Sequence, residues 1–289
     1  MDIFLTGATG YVGNHCMQEL LAAGHTVSAV SRRESNPAHK GVTWVKGSLE
    51  TLAELRTEID NIDIIMHCAM GYTEKGEASD VDTAAMDIML ASGKFIVATG
   101  NLYTCRTDKD GLIAEALEDT PGNWRNQTET RILNSEGGGA SIRLGFVYGG
   151  TGGFLWQIFE PCTDQLVFYT GGGASTWPMV HVEDVARLYR LIAEAKAGGI
   201  YHAADGTDIS IKTLLTTVGT VRNAEPVEIP YEEAKEKLGG FADHMLRTIR
   251  PATGNTGALG WKPQHPSFKA SAAGAYNDYI THRQKQAAE

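Results

Sequence analysis

The sequence predicts an α/β fold: a doubly wound parallel sheet followed by a smaller C-terminal lobe. Apolar strand-like runs alternate with amphipathic helical segments through the first two-thirds of the chain, which is typical of such sheets. The first run, residues 3–6, enters a loop with glycines at positions 7, 10 and 13. After about residue 203 the alternation stops. The 289 residues suffice for a large core in one domain or one and a half.

The elements follow from hydrophobic periodicity and from capping and turn residues. Strands are predicted at residues 3–6, 26–31, 42–45, 62–67, 95–98, 140–144 and 199–203. Helices are predicted at 12–21, 52–59, 83–92, 124–134 and 185–195, the last with Asp184 as its N-cap. Beyond them we expect a helix at 209–221, a strand at 227–229, a helix at 231–238 and a polar tail, with a flexible turn at residues 171–173.

The glycine loop indicates a dinucleotide site. Gly7 permits a sharp turn, and Gly10 removes the Cβ that would keep a pyrophosphate from the backbone amides. Gly13 lets the next helix pack close to the strand, and the positive end of that helix then faces the anion. The spacing Gly-x-x-Gly-x-x-Gly differs from the general dinucleotide-binding fingerprint Gly-x-Gly-x-x-Gly. The prediction of a dinucleotide site therefore depends on the position of the loop between a strand and an amphipathic segment.

Composition excludes several classes of function. A net charge of −10 disfavours nucleic acid as a partner. No apolar stretch is long enough to span a bilayer and no basic leader precedes the first strand, so we expect a cytoplasmic protein. Cys16, Cys68, Cys105 and Cys162 form no paired motif, which favours buried, reduced thiols over a metal site or disulfides.

Five ordered segments together resemble the extended short-chain dehydrogenase/reductase family, also called the NAD-dependent epimerase/dehydratase family. They are residues 6–13 (TGATGYVG), 63–69 (DIIMHCA), 143–149 (RLGFVYG), 177–186 (WPMVHVEDVA) and 259–263 (LGWKP). The resemblance implies a Rossmann-type domain at 1–149, completed by about 179–203, and a substrate lobe mostly within 150–289. The active site is expected between them. A homodimer is left open.

The resemblance also implies cofactor contacts along the strand ends. Arg32 and Arg33 close the second strand, where two guanidinium groups suit a 2′-phosphate, so NADP(H) is favoured over NAD(H). The alternative is a solvated pair with Glu34 facing the ribose. The remaining predicted cofactor residues are Gly7, Thr9, Gly10, Tyr11, Val12, Gly13, Ser48, Leu49, Cys68, Ala69, Met70, Arg125, Gly145 and Val147.

The catalytic set departs from the family pattern of a hydroxyl residue with a Tyr and a Lys four apart. Residues 120–132 contain neither tyrosine nor lysine. If Glu129 marks the usual helix glutamate, Arg125 takes the lysine position and Pro121 the tyrosine position; the other alignment places Trp124 and Thr128 there. Arg125 can hold the nicotinamide ribose as a fixed cation.

The hydroxyl position is better preserved, at Thr99, whose alternative role is a buried threonine bonded to backbone. Tyr148 is the first candidate to replace the missing tyrosine, ahead of Tyr103 and His181. The side chains expected to line an apolar pocket, or to form the core of the small lobe, are Phe154, Trp156 and Trp177.

Three functions follow from this pattern. The first is an NADP(H)-dependent oxidoreductase acting on a carbonyl or alcohol of a small, rather apolar molecule, with Thr99, Tyr148 and Arg125 as catalytic candidates. The second is a non-redox epimerase, dehydratase or isomerase on the same fold. The third is a dinucleotide-sensing regulatory protein.

Overall fold

The computed structural model describes residues 1–73, 76–77, 79–118, 123–153, 158–159 and 165–288. Its centre is a parallel sheet of seven strands in the spatial order β13-β9-β7-β4-β1-β2-β3, which confirms the predicted fold class. These strands are β1 (Asp2–Thr6), β2 (Thr26–Ser31), β3 (Val42–Lys46), β4 (Ile64–His67), β7 (Phe95–Asn101), β9 (Gly139–Leu144) and β13 (Gly199–Ala203). The order reverses beside β1, so the crevice between β1 and β4 is the place where such a sheet binds ligands.

Helices cover both faces of the sheet, because its central strands are apolar on both sides. On one face lie α1 (Tyr11–Ala22) and α5 (Val182–Ala195). On the other lie a 3₁₀ turn (Leu52–Leu55), α2 (Arg56–Asp60), α3 (Ser79–Leu90) and α4 (Trp124–Leu133). Most predicted bounds agree within a few residues.

A second core belongs to what we call the small lobe. It contains the three-stranded sheet β10 (Phe146–Tyr148), β12 (Thr176–His181) and β14 (Asp208–Ser210), and the pair β11 (Leu166–Tyr169) and β15 (Glu225–Glu228). Its helices are α6 (Ile211–Arg222), α7 (Tyr231–Leu238), α8 (Phe241–Met245) and α10 (Phe268–Ala288). Shorter elements are β5 (Tyr72–Thr73), β6 (Gly76–Glu77), β8 (Leu112–Ile113), β16 (Arg250–Pro251), α9 (Gly254–Ala258) and 3₁₀ turns at Leu102–Thr104 and Gly171–Gly173.

Asp184 is not the N-cap of α5, which corrects the prediction. His181 caps the helix, since its Nδ1 accepts from the Glu183 amide at 3.3 Å. The Asp184 carboxylate, buried in the first turn, instead accepts from the backbone amides of Gln264 at 2.7 Å and His265 at 2.9 Å. The contact ties the nucleotide half of the fold to the segment that leads into α10.

The polar tail is also corrected, because it forms α10 and buries Phe268, Ala272 and Ala275 against the small lobe. Of the cysteines, Cys16 and Cys105 are buried, Cys68 is half-buried and Cys162 lies outside the described residues. No helix among the described residues has the length and apolar character needed to cross a membrane.

Candidate active site

One cavity of about 610 Å³ runs along the carboxyl ends of the sheet strands and against the small lobe. It begins at the glycine loop and the ends of β2 and β3, passes the end of β4, and reaches the ends of β7 and β9. The small lobe closes its far end with Pro178, His244 and Ile249. A dinucleotide laid across the crevice would thus place its two halves on opposite sides of β1.

The glycine loop has the shape of an anion cradle. Gly7 has φ +79°, and a Cβ there would lie 2.6 Å from the Ala69 amide nitrogen. A Cβ on Gly13 would lie 2.2 Å from the Gly7 carbonyl oxygen, so only glycine lets α1 approach the strand this closely. No side chain caps the N-terminus of α1, which leaves its first amides for a ligand.

Thr6, His67 and Asp82 form a buried network that positions the loop after β4. Thr6 Oγ1 lies 2.8 Å from His67 Nδ1 and accepts from the Ala69 amide, and His67 Nε2 lies 3.5 Å from Asp82. Asp82 in turn accepts from the Gly71 amide at 2.6 Å. These contacts position the loop of Cys68, Ala69 and Met70, and all three residues line the cavity.

At the end of β2, Arg32 lines the cavity while Arg33 is exposed and does not. The Glu34 carboxylate pairs with Lys46 Nζ, which also donates to the Arg32 carbonyl at 2.9 Å. Ser48 and Leu49 line the same end, joined by Glu50. The Ser48 hydroxyl holds the pKa of the Glu50 carboxyl below its usual range.

Thr99 lines the cavity but directs its hydroxyl into the protein. Its Oγ1 donates to the His67 carbonyl at 3.0 Å and lies 2.6 Å from the hydroxyl of Tyr189. Because a threonine hydroxyl carries one proton, the Thr99 oxygen is then an acceptor toward Tyr189. In this arrangement Thr99 has no proton left for a substrate oxygen.

Tyr148 lies away from the cavity. Its side chain is fully buried in the small-lobe core between the rings of His181 and Phe268, each 5.2 Å away. Burial raises the pKa of its phenol. Tyr148 thus does not line the cavity with the other catalytic candidates, Thr99 and Arg125.

His181, another proposed donor, is likewise not among the lining residues. Its ring stacks on His265 at 3.6 Å, and Glu183 lies beside both. Burial, followed by the nearby His265, lowers the pKa of His181 to about 4. Trp177 is buried in the core, whereas Phe154 and Trp156 lie outside the described residues.

Arg125 extends from the first turn of α4 to the cavity. Asn123 caps this helix by accepting from the Arg125 amide at 3.1 Å, and the guanidinium lies 3.1 Å from the sulfur of Met70. The same helix carries Glu129, whose carboxylate pairs with the fully buried Arg143 at 2.7 Å. This buried pair fixes α4 against the ends of β7 and β9.

At the far end of the cavity lie Tyr103, a lower-ranked candidate donor from the sequence, and His244, which the sequence did not predict. Their rings stack at 4.1 Å with an angle of 2° between them. Tyr103 follows β7 in a 3₁₀ turn capped by Asn101, and the Arg247 guanidinium lies 5.0 Å from its ring centre. The sequence places His244 in no motif, so only the tertiary contact reveals it.

The fold and the cavity together define an α/β protein of Rossmann type with its candidate site between two lobes. Residues 3–93 match the model of the NAD dependent epimerase/dehydratase family. Over this segment the chain is similar to that family of extended short-chain dehydrogenases/reductases.

Relatives match along most of the chain. An uncharacterized protein of Schizosaccharomyces pombe is 29% identical and covers 94% of this chain and 98% of its own length. A sterol-4-alpha-carboxylate 3-dehydrogenase, decarboxylating, of Dictyostelium discoideum is 25% identical over 74% of each chain. A ketoreductase of Stigmatella aurantiaca named for 4-hydroxy-2-methyl-3-oxo-4-farnesyl-3,4-dihydroquinoline-1-oxide is 25% identical and covers 87% and 82%.

Among solved structures, human epimerase family protein SDR39U1 with NADPH superposes with a TM-score of 0.73. The identity is 18%, over 96% of this chain and all of that one. At this identity the likeness supports the fold alone. The relatives carry both reductase and epimerase names.

Proposed function

We propose that the protein is an NADP(H)-dependent oxidoreductase that reduces a carbonyl, or oxidises an alcohol, on a small and rather apolar molecule. The observation that carries the proposal is the single cavity joining the glycine loop to an apolar end lined by Leu102, Phe146 and Ile249. Its volume, about 610 Å³, suits a cofactor with a small substrate.

The glycine cradle and the uncapped start of α1 fit a diphosphate, since a Cβ at Gly7 or Gly13 would clash with backbone. When bound, a nicotinamide cofactor supplies or accepts the hydride. The chain's own part is to grip the diphosphate, hold the ribose near Arg125 and confine the substrate against the small lobe.

Arg32 supports NADP(H) over NAD(H). It lines the cavity directly after β2, where the adenosine ribose lies in this class of fold. The acidic alternative, Glu34, pairs with Lys46 and is not among the lining residues. The Arg32 guanidinium can pair with a 2′-phosphate at this place, in competition with the Glu50 carboxylate at the same end of the cavity.

The test is binding followed by turnover. Isothermal titration should give a tighter dissociation constant for NADPH than for NADH, and NADPH absorbance at about 340 nm should fall with one member of a panel of apolar ketones and aldehydes. Tight NADPH binding without loss of absorbance for any carbonyl would instead support the epimerase or isomerase function. Binding of neither dinucleotide would refute the proposal.

The positions of the Thr99 and Tyr148 hydroxyls favour a second candidate, a non-redox enzyme. Thr99 donates inward and Tyr148 is buried elsewhere, so the usual proton-transfer set is incomplete among the described residues. Cofactor that copurifies with the protein, with no net turnover, would favour this candidate over the first.

A further inference from the structure

Reduction of a carbonyl requires a proton donor beside the substrate oxygen, and Tyr148, the first predicted donor, does not supply one. Tyr148 is buried in the small lobe, and the Tyr11 hydroxyl donates to the Gly149 carbonyl at 2.6 Å. Burial raises the pKa of Tyr11 as well. Glu50 lines the opposite, adenosine end of the cavity. The proton-transfer side chains left at the substrate end, among the described lining residues, are Cys68, Tyr103 and His244.

His244 is held in one tautomer. Its Nδ1 lies 2.7 Å from the Gly240 carbonyl oxygen, which can only accept a hydrogen bond. Nδ1 therefore keeps its proton in both charge states, and Nε2 is the nitrogen that gains and loses one. Trp177 fixes the same residue from behind, since its indole donates to the His244 carbonyl at 3.2 Å.

Charged and aromatic groups of the described residues lie around His244. Asp243 precedes it on α8 and is paired with Lys235 and with the Tyr231 hydroxyl. The Arg247 guanidinium lies over the Tyr103 ring and donates to the Tyr103 carbonyl. Tyr103 itself stacks on the imidazole at 4.1 Å. Histidine is the side chain that most often transfers protons in enzymes, and the contacts described above hold the His244 ring in place.

We propose that His244 is the general acid of the reaction, with Tyr103 as the positioning residue that holds its ring. This inference rests on the proposed oxidoreductase function. A reduced nicotinamide, when bound, would supply the hydride to the carbonyl carbon, and the oxygen would keep the electron pair of the broken π bond. That oxygen takes the proton from Nε2 of His244, which gives the alcohol, and the neutral imidazole then regains a proton from water.

The test compares His244→Gln with His39→Gln, the same change at an exposed histidine outside the cavity lining, whose Nδ1 lies 3.2 Å from the Lys40 carbonyl oxygen. We expect His244→Gln to lower kcat about 10²–10³-fold, as loss of a general acid does, and to abolish the fall of kcat on the alkaline side. Its dissociation constant for NADPH should stay within about threefold. His39→Gln should keep both the rate and the pH profile.

Tyr103→Phe separates the two candidate acids, because it keeps the stack and removes the hydroxyl. We expect it to lower kcat less than about tenfold and to retain the alkaline limb. If Tyr103→Phe lowered kcat as much as we expect for His244→Gln, while His244→Gln itself stayed active, the Tyr103 phenol would be the acid and the proposal would be overturned.

A readout without turnover completes the test. In protein labelled with ¹³C-histidine, the Cε1–H signal that disappears in His244→Gln should shift when NADP⁺ is added, because the pyridinium charge would lie nearby. A signal unmoved by saturating NADP⁺, or an unaltered pH profile in His244→Gln, would refute the role of His244 while leaving the oxidoreductase function intact. If the wild-type protein binds no dinucleotide, the proposed function fails and this inference fails with it.

Discussion

Gly10→Ala should weaken cofactor binding while changing the stability of the fold only slightly. Gly10 has φ −85° and ψ 172°, a conformation open to any residue. An added Cβ would meet a single neighbour, the Gly7 carbonyl oxygen at 3.2 Å. With the lower preference for alanine at an N-cap, we expect a cost of about 1 kcal/mol and a Tm lower by about 2 °C.

The loss of affinity should be much larger. Gly10 lines the cavity, so the methyl group would stand between a diphosphate and the first amides of α1. Loss of two amide–phosphate hydrogen bonds, at about 1.5–3 kcal/mol each, weakens NADPH binding by at least a hundredfold. Calorimetric titration with NADPH, alongside a thermal melt, measures both quantities.

Gly198→Ala is the matched control, because its Cβ would also lie 3.2 Å from one carbonyl oxygen, that of Gly139, and it does not line the cavity. It should cost similar stability and leave the affinity unchanged. Gly10→Ala protein that binds NADPH within threefold of wild type would refute the assignment of the glycine loop as the diphosphate site.

Three further outcomes are expected. Arg32→Ala should weaken NADPH binding about tenfold or more and leave NADH unchanged, since only the former carries the 2′-phosphate that its guanidinium faces; equal losses for both would contradict this role. Glu129→Gln removes the carboxylate from the fully buried Arg143 and should cost about 3–5 kcal/mol in urea unfolding, whereas Asp60→Asn in an exposed pair should cost under about 1 kcal/mol. Burial lowers the pKa of His202 to about 4, so the unfolded chain, titrating near 6.5, takes up the proton first. His202 therefore lowers the free energy of unfolding, by up to about 3 kcal/mol, as pH falls from about 6.5 to about 4. Urea unfolding at pH 7.5 and 4.5 should show that His202→Gln loses less stability between the two pH values than the wild type. An equal loss in both proteins would contradict this role of His202.

The sheet and the cofactor loop were predictable because local sequence determines them. Apolar strands at fixed alternation with helices define the topology, and Gly7 and Gly13 are required by contacts within a short segment. Most of the predicted cofactor residues line the cavity for the same reason, since they follow strands whose carboxyl ends meet at one edge. Whether they bind the cofactor remains a prediction.

What the sequence did not predict depends on contacts between distant segments. Asp184 has the residue type of an N-cap, yet amides about eighty positions later compete for its carboxylate. His244 lies on a helix of five residues with no motif, and only its stack on Tyr103 brings it to the cavity. Tyr148 has a neighbour in the cavity, Val147, but strand alternation turns its ring to the opposite side.

Because Asp184 anchors the stretch before α10, the two parts of the fold should unfold together. The Trp261 indole also donates to the Asp184 carbonyl at 3.0 Å, so a single turn of α5 holds both ends of the stretch before α10. The helix α5 and the strand β13 come after residue 150 in the chain, yet they belong to the large sheet and its covering layer. The sheet domain and the small lobe therefore cannot unfold independently of each other. We expect calorimetry to record one endotherm, and a fragment ending at residue 149 to be insoluble.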